Sequence, residues 1–175
     1  MLAAITQVLN QDLDTQVDVC MTSEMARRIE LWTAMYEDNA PWVDRKKVKS
    51  AQLPAAIASE VARLVTLEMK SEITGGSSAA YLNDQYQRKV LKSIRRYVEY
   101  GCAKGGLILK PYVTKTGLAI QYVQADCFFP LAFDDSGQIQ QCVFTEQFRK
   151  GQKIYTRLEV HTLQGEQIRI TNSAF

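Results

Sequence analysis

The first half of the chain places apolar residues every three or four positions, a spacing typical of helices. Met25, Ile29, Trp32 and Tyr36 form one such stripe and predict a first helix over residues 23–38, with Trp32 facing inward. "NAP" at residues 39–41 ends it.

Pro54 suits the first turn of a second helix, which continues to about residue 69. The apolar residues of this helix spread over a broad arc and are Ile57, Val61, Leu64, Val65 and Leu67. We therefore expect the second helix to be covered on more than one side.

A third apolar stripe predicts one long helix over residues 79–103, about 25 residues and roughly 36 Å in length. Ser77 or Ser78 is the expected N-terminal cap. The opposite face of this helix carries four cations: Arg88, Lys92, Arg95 and Arg96. Such a stripe fits a phosphate backbone, although the pattern is more typical of a solvated face balanced by Asp84 and Glu99.

The segment "YGCAKGGLILKPYV" contains a glycine cluster that invites comparison with a phosphate-binding loop. In such a loop a strand leads through glycines into a helix, whose N-terminus attracts the anion. The order is reversed in this chain, so Gly101, Gly105 and Gly106 are predicted to end a helix and to begin a strand. Lys104 then lies near the negative end of the helix, and no nucleotide cofactor is expected.

Beyond residue 106 the pattern alternates with period two, which predicts strands. Successive runs, separated by turns such as "TKTG", "DDSG", "RKGQ" and "QGE", indicate hairpins, with irregularities expected at Pro111 and Pro130. Helices followed by consecutive antiparallel strands define an α+β fold with a β-meander.

The net charge of +2, with 23% charged residues, produces no overall field toward nucleic acid. Any such contact must come from a local patch. The cationic stripe is one candidate, and the loop after Trp42 is another, with Arg45, Lys46, Lys47 and Lys49. No run of residues is long and apolar enough to span a membrane.

The candidate catalytic residues are few. Four cysteines without a CxxC pair and one histidine argue against a zinc site, and we interpret the cysteines as reduced, mostly core residues. Glu60 and Glu68 lie eight residues apart on one helix face, where they suit general acid–base work, but Arg63 and Lys70 favour ion pairing. His161 is predicted on the exposed face of a strand as a surface partner of Glu159 and Arg157. The sequence places no serine or cysteine as its nucleophile.

Several blocks follow one another in a recognisable order: "APW", "LPAAIASEVARLVTLEM", "EITG", "AAYLNDQY", "YGCAKGGLILKPYV", "ADCFFPLAFDDSGQI", "YTRLEVHTL" and "ITNSAF". This succession resembles the N-terminal part of the portal proteins of tailed bacteriophages, especially those of siphophages and prophages of low-GC Gram-positive bacteria. The resemblance begins at Thr22 and covers nearly all that follows. "YGCAKGGLILKPYV" and "CFFPLAF" carry most of it.

The resemblance implies a non-enzymatic head-tail connector of the virion, made in the host cytoplasm. Such proteins form rings, typically dodecamers, through which the terminase motor drives double-stranded DNA, and they bind scaffold, capsid and tail adaptor proteins. It also implies an N-terminal arm over residues 1–21 and a wing-like domain over residues 22–175. Family members are considerably longer, so we expect a fragment that is monomeric or a small oligomer on its own.

One departure from the family pattern concerns a possible DNA contact. A cation is expected just before the "AxYLN" block, whereas this chain has Ser77, Ser78 and Ala79. Two other hypotheses stay open: a stand-alone nucleic-acid-binding module that uses the two cationic patches, and a small hydrolase that uses Glu60, Glu68 or His161.

Overall fold

The computed structural model describes residues 19–44, 47, 50–115 and 117–174. The chain divides into two compact units: Met1–Arg28 with Asp126–Phe175, and Ile29–Ala125. We call these the sheet unit and the helical unit. Helices precede antiparallel strands, so the predicted α+β class is confirmed. Most of the predicted arm over residues 1–21 lies outside the described residues, and its boundary stays a prediction.

Four α-helices occupy the first part of the described chain. They are α1 (Ser23–Tyr36), α2 (Leu53–Leu67), α3 (Ala79–Lys89) and α4 (Ile94–Lys104). Thr22 caps α1, because its Oγ1 accepts a hydrogen bond from the Met25 N–H at 3.1 Å. Ser78 is the N-cap residue of α3 as predicted, although its side chain makes no capping hydrogen bond.

The prediction of one long third helix is wrong, because a 3-10 turn at Leu91–Ser93 separates α3 from α4. In a continuous α-helix the Ser93 N–H would donate to the carbonyl of Lys89. It donates instead to the Val90 carbonyl at 3.1 Å. The Lys89 carbonyl accepts a hydrogen bond from the hydroxyl of Tyr122 at 2.6 Å, which replaces the lost helical bond.

Two strands complete the helical unit: β1 (Leu107–Thr114) and β2 (Gly117–Gln124), paired antiparallel as a predicted hairpin. The ribbon packs on α4, where the rings of Tyr97 and Tyr122 stack with centroids 3.4 Å apart. Helix packing supplies the support that a two-stranded ribbon needs for stability.

The sheet unit contains a four-stranded antiparallel meander in the order β3 (Phe128–Phe133), β4 (Ile139–Lys150), β5 (Lys153–Gln164) and β6 (Gln167–Ala174). Its core consists of Phe129, Leu131, Val143, Leu158 and Val160, against which Val19 and Met21 pack. The register shifts just after Pro130, where the sequence predicts an irregularity.

Helix α2 is covered on one side only among the described residues, which corrects the expectation of broader cover. It packs against α4, and the residues that it buries are the small Ala58 and Ala62. Its six large aliphatic residues are between 40% and 64% exposed: Leu53, Ile57, Val61, Leu64, Val65 and Leu67. Leu53, Leu64 and Leu67 lie on the side of α2 opposite the buried alanines, whereas Val61 and Val65 flank them and are still exposed.

Candidate nucleic-acid interface

The four cations of the predicted stripe lie on three consecutive elements. Arg88 is in the last turn of α3, Lys92 is in the 3-10 turn, and Arg95 and Arg96 are in the first turn of α4. All four are exposed. Because the helix is interrupted at Val90, the spacing of these residues no longer corresponds to one continuous α-helical face.

Two of these cations bind partners along their own helices. The Arg88 Nε lies 2.8 Å from Asp84 Oδ1, with both side chains exposed. The Arg96 Nε donates to the Tyr100 hydroxyl at 2.9 Å, and its guanidinium lies 5.6 Å from the Tyr100 ring centroid. Exposed ion pairs contribute only about 0–1 kcal/mol. A phosphate can therefore compete with Asp84 for Arg88.

A carboxylate lowers the positive potential at one end of the stripe. Arg63 donates to both Glu60 oxygens, at 2.6 and 2.8 Å, and these bonds hold the pKa of Glu60 below its usual value. The charge of Arg95 adds to this lowering, so Arg95 lies within electrostatic range of Glu60. A carboxylate therefore opposes phosphate binding at Arg95, as the ion pair with Asp84 does at Arg88.

The cationic loop after Trp42 is described in part. Lys47 is 82% exposed, and its Nζ lies 3.3 Å from Asp44 Oδ2. Arg45, Lys46 and Lys49 lie outside the described residues. The grouping of the two cationic patches into one surface therefore stays a prediction.

The glycine cluster ends a helix, as predicted. Gly105 is the C-cap of α4 with φ of 84°, and its N–H donates to the Gly101 carbonyl at 2.9 Å. A Cβ at Gly105 would lie 3.0 Å from Trp32 Cζ3, so both the left-handed conformation and the close approach favour glycine. This contact also supports the inward packing predicted for Trp32.

Lys104 is buried beside the end of α1. It is 5% exposed, and its Nζ lies 4.0 Å from Glu37 Oε1. Its position in the last turn of α4 agrees with the prediction of a cation near the negative helix end. The burial of this ammonium makes it a structural group that an external phosphate does not reach.

The candidate acid–base residues take different places. Glu60 and Glu68 both belong to the α2 region, and the lowered pKa of Glu60 makes it a poor general acid near neutral pH. His161 is only 16% exposed, and its Nε2 lies 2.6 Å from Glu159 Oε1 of the same strand. Its ring meets Phe144 edge-on at 4.9 Å. The predicted pairing of His161 with Glu159 is thus confirmed, although within one strand, whereas the prediction that His161 lies on an exposed face is wrong.

The structure places a cysteine next to this histidine, which the sequence analysis missed. Cys142 lies directly across from His161 in the β4–β5 register. Opposite residues on antiparallel strands have Cβ atoms about 4.5–5.5 Å apart. This pairing could have been predicted from the sequence, because the two-residue turn at Gly151 and Gln152 fixes the register between the two strands. Among the described residues, no group of three His, Cys, Asp or Glu side chains is placed to hold a metal ion.

Comparison with known proteins adds no relative. No model of a known protein family matches the chain, and no curated protein matches it in sequence. Within the described residues, no helix combines the length and the apolar character needed to cross a bilayer.

Proposed function

We propose that this chain is the wing region of a bacteriophage portal protein, a structural head-tail connector that forms a ring and lets DNA pass without acting on it chemically. The ordered blocks around "YGCAKGGLILKPYV" and "CFFPLAF" support this proposal. In the structure the first block forms the end of α4 and all of β1 except its last residue, and the second forms the start of the meander. Both are consistent with an α+β wing.

The observation that carries the proposal beyond resemblance is the exposed aliphatic face of α2. Its six large aliphatic side chains expose apolar area to water, which is unfavourable, and exposed apolar surfaces of this kind are typical of interaction sites. A chain built to work inside an assembly accounts for this surface. Under the proposal its partners are copies of itself, typically twelve, the terminase motor, and the scaffold, capsid and tail adaptor proteins of the virion.

Electron microscopy of the purified gene product that carries this sequence tests the proposal. We expect rings of uniform diameter with a central channel wide enough for duplex DNA. Light scattering of the 175-residue chain alone is expected to give a monomer or small oligomer. A gene product that stays monomeric at every concentration and salt strength would contradict the proposed function.

A second candidate function is a nucleic-acid-binding module, favoured by the exposed cations Arg88 and Lys92. It predicts that duplex DNA binds to the isolated chain with an affinity that falls steeply with salt. Fluorescence anisotropy with the double variant Arg88→Gln and Lys92→Gln tests this, with Lys153→Gln in the sheet unit as the control. Loss of affinity in the double variant alone would favour this candidate over the portal, and equal affinities in all three proteins would remove it.

A further inference from the structure

The large apolar residues of α2 are exposed, unlike those of a usual amphipathic surface helix. We define the α2 apolar face as Leu53, Ile57, Val61, Leu64, Val65 and Leu67. A surface helix normally turns its large apolar residues to the core. Helix α2 packs against α4 and buries Ala58 and Ala62, while its large aliphatic residues are exposed. The residues that α2 buries are small, and its aliphatic face stays exposed and available to another partner.

The size of the face suits one part of a protein interface. Full burial of an aliphatic side chain stabilises by about 1.5–3 kcal/mol, which at roughly 25 cal/mol/Å² corresponds to on the order of 60–120 Å² of apolar area removed from water. Six side chains that are about half exposed therefore offer roughly 200–400 Å². A stable interface buries about 800 Å² on each partner. The face alone supports a weak contact, which becomes strong when it is repeated and combined with others.

The charges on α2 disfavour phosphate-bearing partners. Glu60 and Glu68 lie along the apolar face, and the one cation of the helix, Arg63, is engaged with Glu60 at 2.6 Å. An anionic membrane surface or a nucleic acid would meet carboxylates there. The partner that fits is a protein surface that is apolar and carries positive charge.

The same chain offers such a surface on its β1–β2 ribbon. Leu109, Pro111 and Val113 alternate along β1 and therefore share one face, and Val113 is 84% exposed. The sequence from residue 107 to residue 124 contains no acidic residue, and the exposed Lys115 lies at the turn just after Val113 and Thr114. The ribbon is thus complementary to α2 in both hydrophobicity and charge.

We propose that the α2 apolar face of one copy of this chain docks the β1–β2 ribbon of a second copy. The inference deepens the proposed ring and rests on it for the repetition of the contact. Because two different surfaces meet, the contact is heterologous, and a heterologous contact that closes generates a ring. A symmetric α2–α2 pair is disfavoured because its antiparallel helices would bring the Glu60 carboxylates of both copies toward the two-fold axis.

Photo-crosslinking between copies tests this docking. Val113 is replaced by the photo-crosslinker p-benzoylphenylalanine in unlabelled chain, which is mixed with ¹⁵N-labelled chain at high concentration. We expect mixed-isotope cross-links to the tryptic peptides of residues 50–63 and 64–70. The matched control carries the cross-linker at Ile168, which is 61% exposed on β6, and is expected to leave these peptides unlabelled.

Two sets of substitutions probe the contact without disturbing the monomer core. Leu64→Asp changes a side chain that is 59% exposed, so the chain should stay folded while the cross-link yield falls about tenfold, the equivalent of one interface anchor. If Leu64→Asp unfolds the chain, Ile57→Gln replaces it in the same assay.

Glu68→Lys and Lys115→Glu should each lower the cross-link yield, and the double charge swap should restore it.

The outcomes separate this inference from the proposed function. Rings without cross-links from position 113 to α2 would overturn the docking and leave the portal proposal standing. Cross-links that occur without rings in the gene product would support the docking and contradict the portal proposal. Mixed-isotope cross-links from position 113 to the β1–β2 ribbon of the second copy instead of α2 would show a ribbon–ribbon pair and would also overturn the docking.

Discussion

The meander of the sheet unit and helix α2 of the helical unit use apolar residues in opposite ways. In the meander, Val143 and Leu158 are fully buried within a core that one chain completes. In α2, Ile57 and Leu64 are about 60% exposed, while Ala58 and Ala62 are buried. Both stretches are rich in aliphatic residues, yet one forms a finished core and the other presents a face without cover among the described residues.

This difference teaches that hydrophobic content alone does not locate the folding core. The buried aliphatics of the meander contribute to the free energy of unfolding of a single chain. Those of α2 contribute little to it and are available for association. The same kind of residue thus stabilises a monomer in one unit and an assembly in the other.

The largest expected effect comes from truncating the same residue type in both places. Leu158→Ala should lower the free energy of unfolding by about 2–5 kcal/mol, because it leaves a cavity in a completed core. Leu64→Ala should change it by no more than about 0.5 kcal/mol, since that side chain is already 59% exposed. Urea denaturation followed by far-UV circular dichroism measures both values. Equal losses in the two variants would show that α2 is covered in the monomer and would contradict the proposed difference between the meander core and α2.

Most of the secondary structure follows from the sequence for a local reason. The strands of the meander are predictable because period-two alternation is interrupted by strong turns, such as that at Asp134, whose Oδ1 accepts hydrogen bonds from the Ser136 and Gln138 N–H groups at 2.9 Å. The break at Val90 is not predictable from local pattern. It depends on the Tyr122 hydroxyl, which comes from a strand far along the chain.

The candidate site was predictable in composition and not in geometry. The positions of Arg88 and Arg96 in the sequence predict one cationic stripe on a continuous helix. The interruption of that helix changes the angular spacing of these side chains. The pairing of Cys142 with His161 required the register of a hairpin, which sequence analysis by single strands does not supply. The exposure of the α2 side chains could not be predicted, because periodicity identifies an apolar arc without showing which part of that arc a neighbouring element covers.

A glycine in each unit gives a second, smaller contrast. Gly105 in the helical unit and Gly137 in the sheet unit have nearly the same backbone, with φ of 84° and 81°. Alanine at either position costs roughly 1–2 kcal/mol for the left-handed conformation. At Gly105 the new Cβ would also lie 3.0 Å from Trp32 Cζ3, whereas at Gly137 nothing lies within 4 Å.

We therefore expect Gly105→Ala to destabilise the chain by about 1 kcal/mol more than Gly137→Ala, because only the first requires the Trp32 indole to shift. Thermal unfolding measures the two losses. An equal loss would mean that Trp32 moves without cost, and the packing of α1 on the end of α4 would then be looser than the structure indicates.

The smallest expected effect is a dependence of stability on alkaline pH that originates in the helical unit. Burial, together with the hydrogen bond that the Tyr36 hydroxyl donates to Glu99 Oε1 at 2.8 Å, raises the pKa of Tyr36 from its usual value of 10.0 to about 12. The fold therefore favours the protonated phenol. Its contribution is fully present below pH 10 and is lost as the pH rises toward 12.

Replacing Tyr36 by phenylalanine should remove this contribution, so the stability of Tyr36→Phe should fall less between pH 10 and pH 12 than that of the unaltered chain. Tyr81→Phe, at a side chain that is 55% exposed, is the matched control and should follow the unaltered chain. Melting temperatures measured across this range, with phenolate absorbance recorded in parallel, give the comparison. If Tyr36→Phe and Tyr81→Phe lose stability alike, the hydrogen bond from Tyr36 to Glu99 does not hold α1 against α4, and the other contacts at that junction, such as that of Trp32 with Gly105, hold the two helices together.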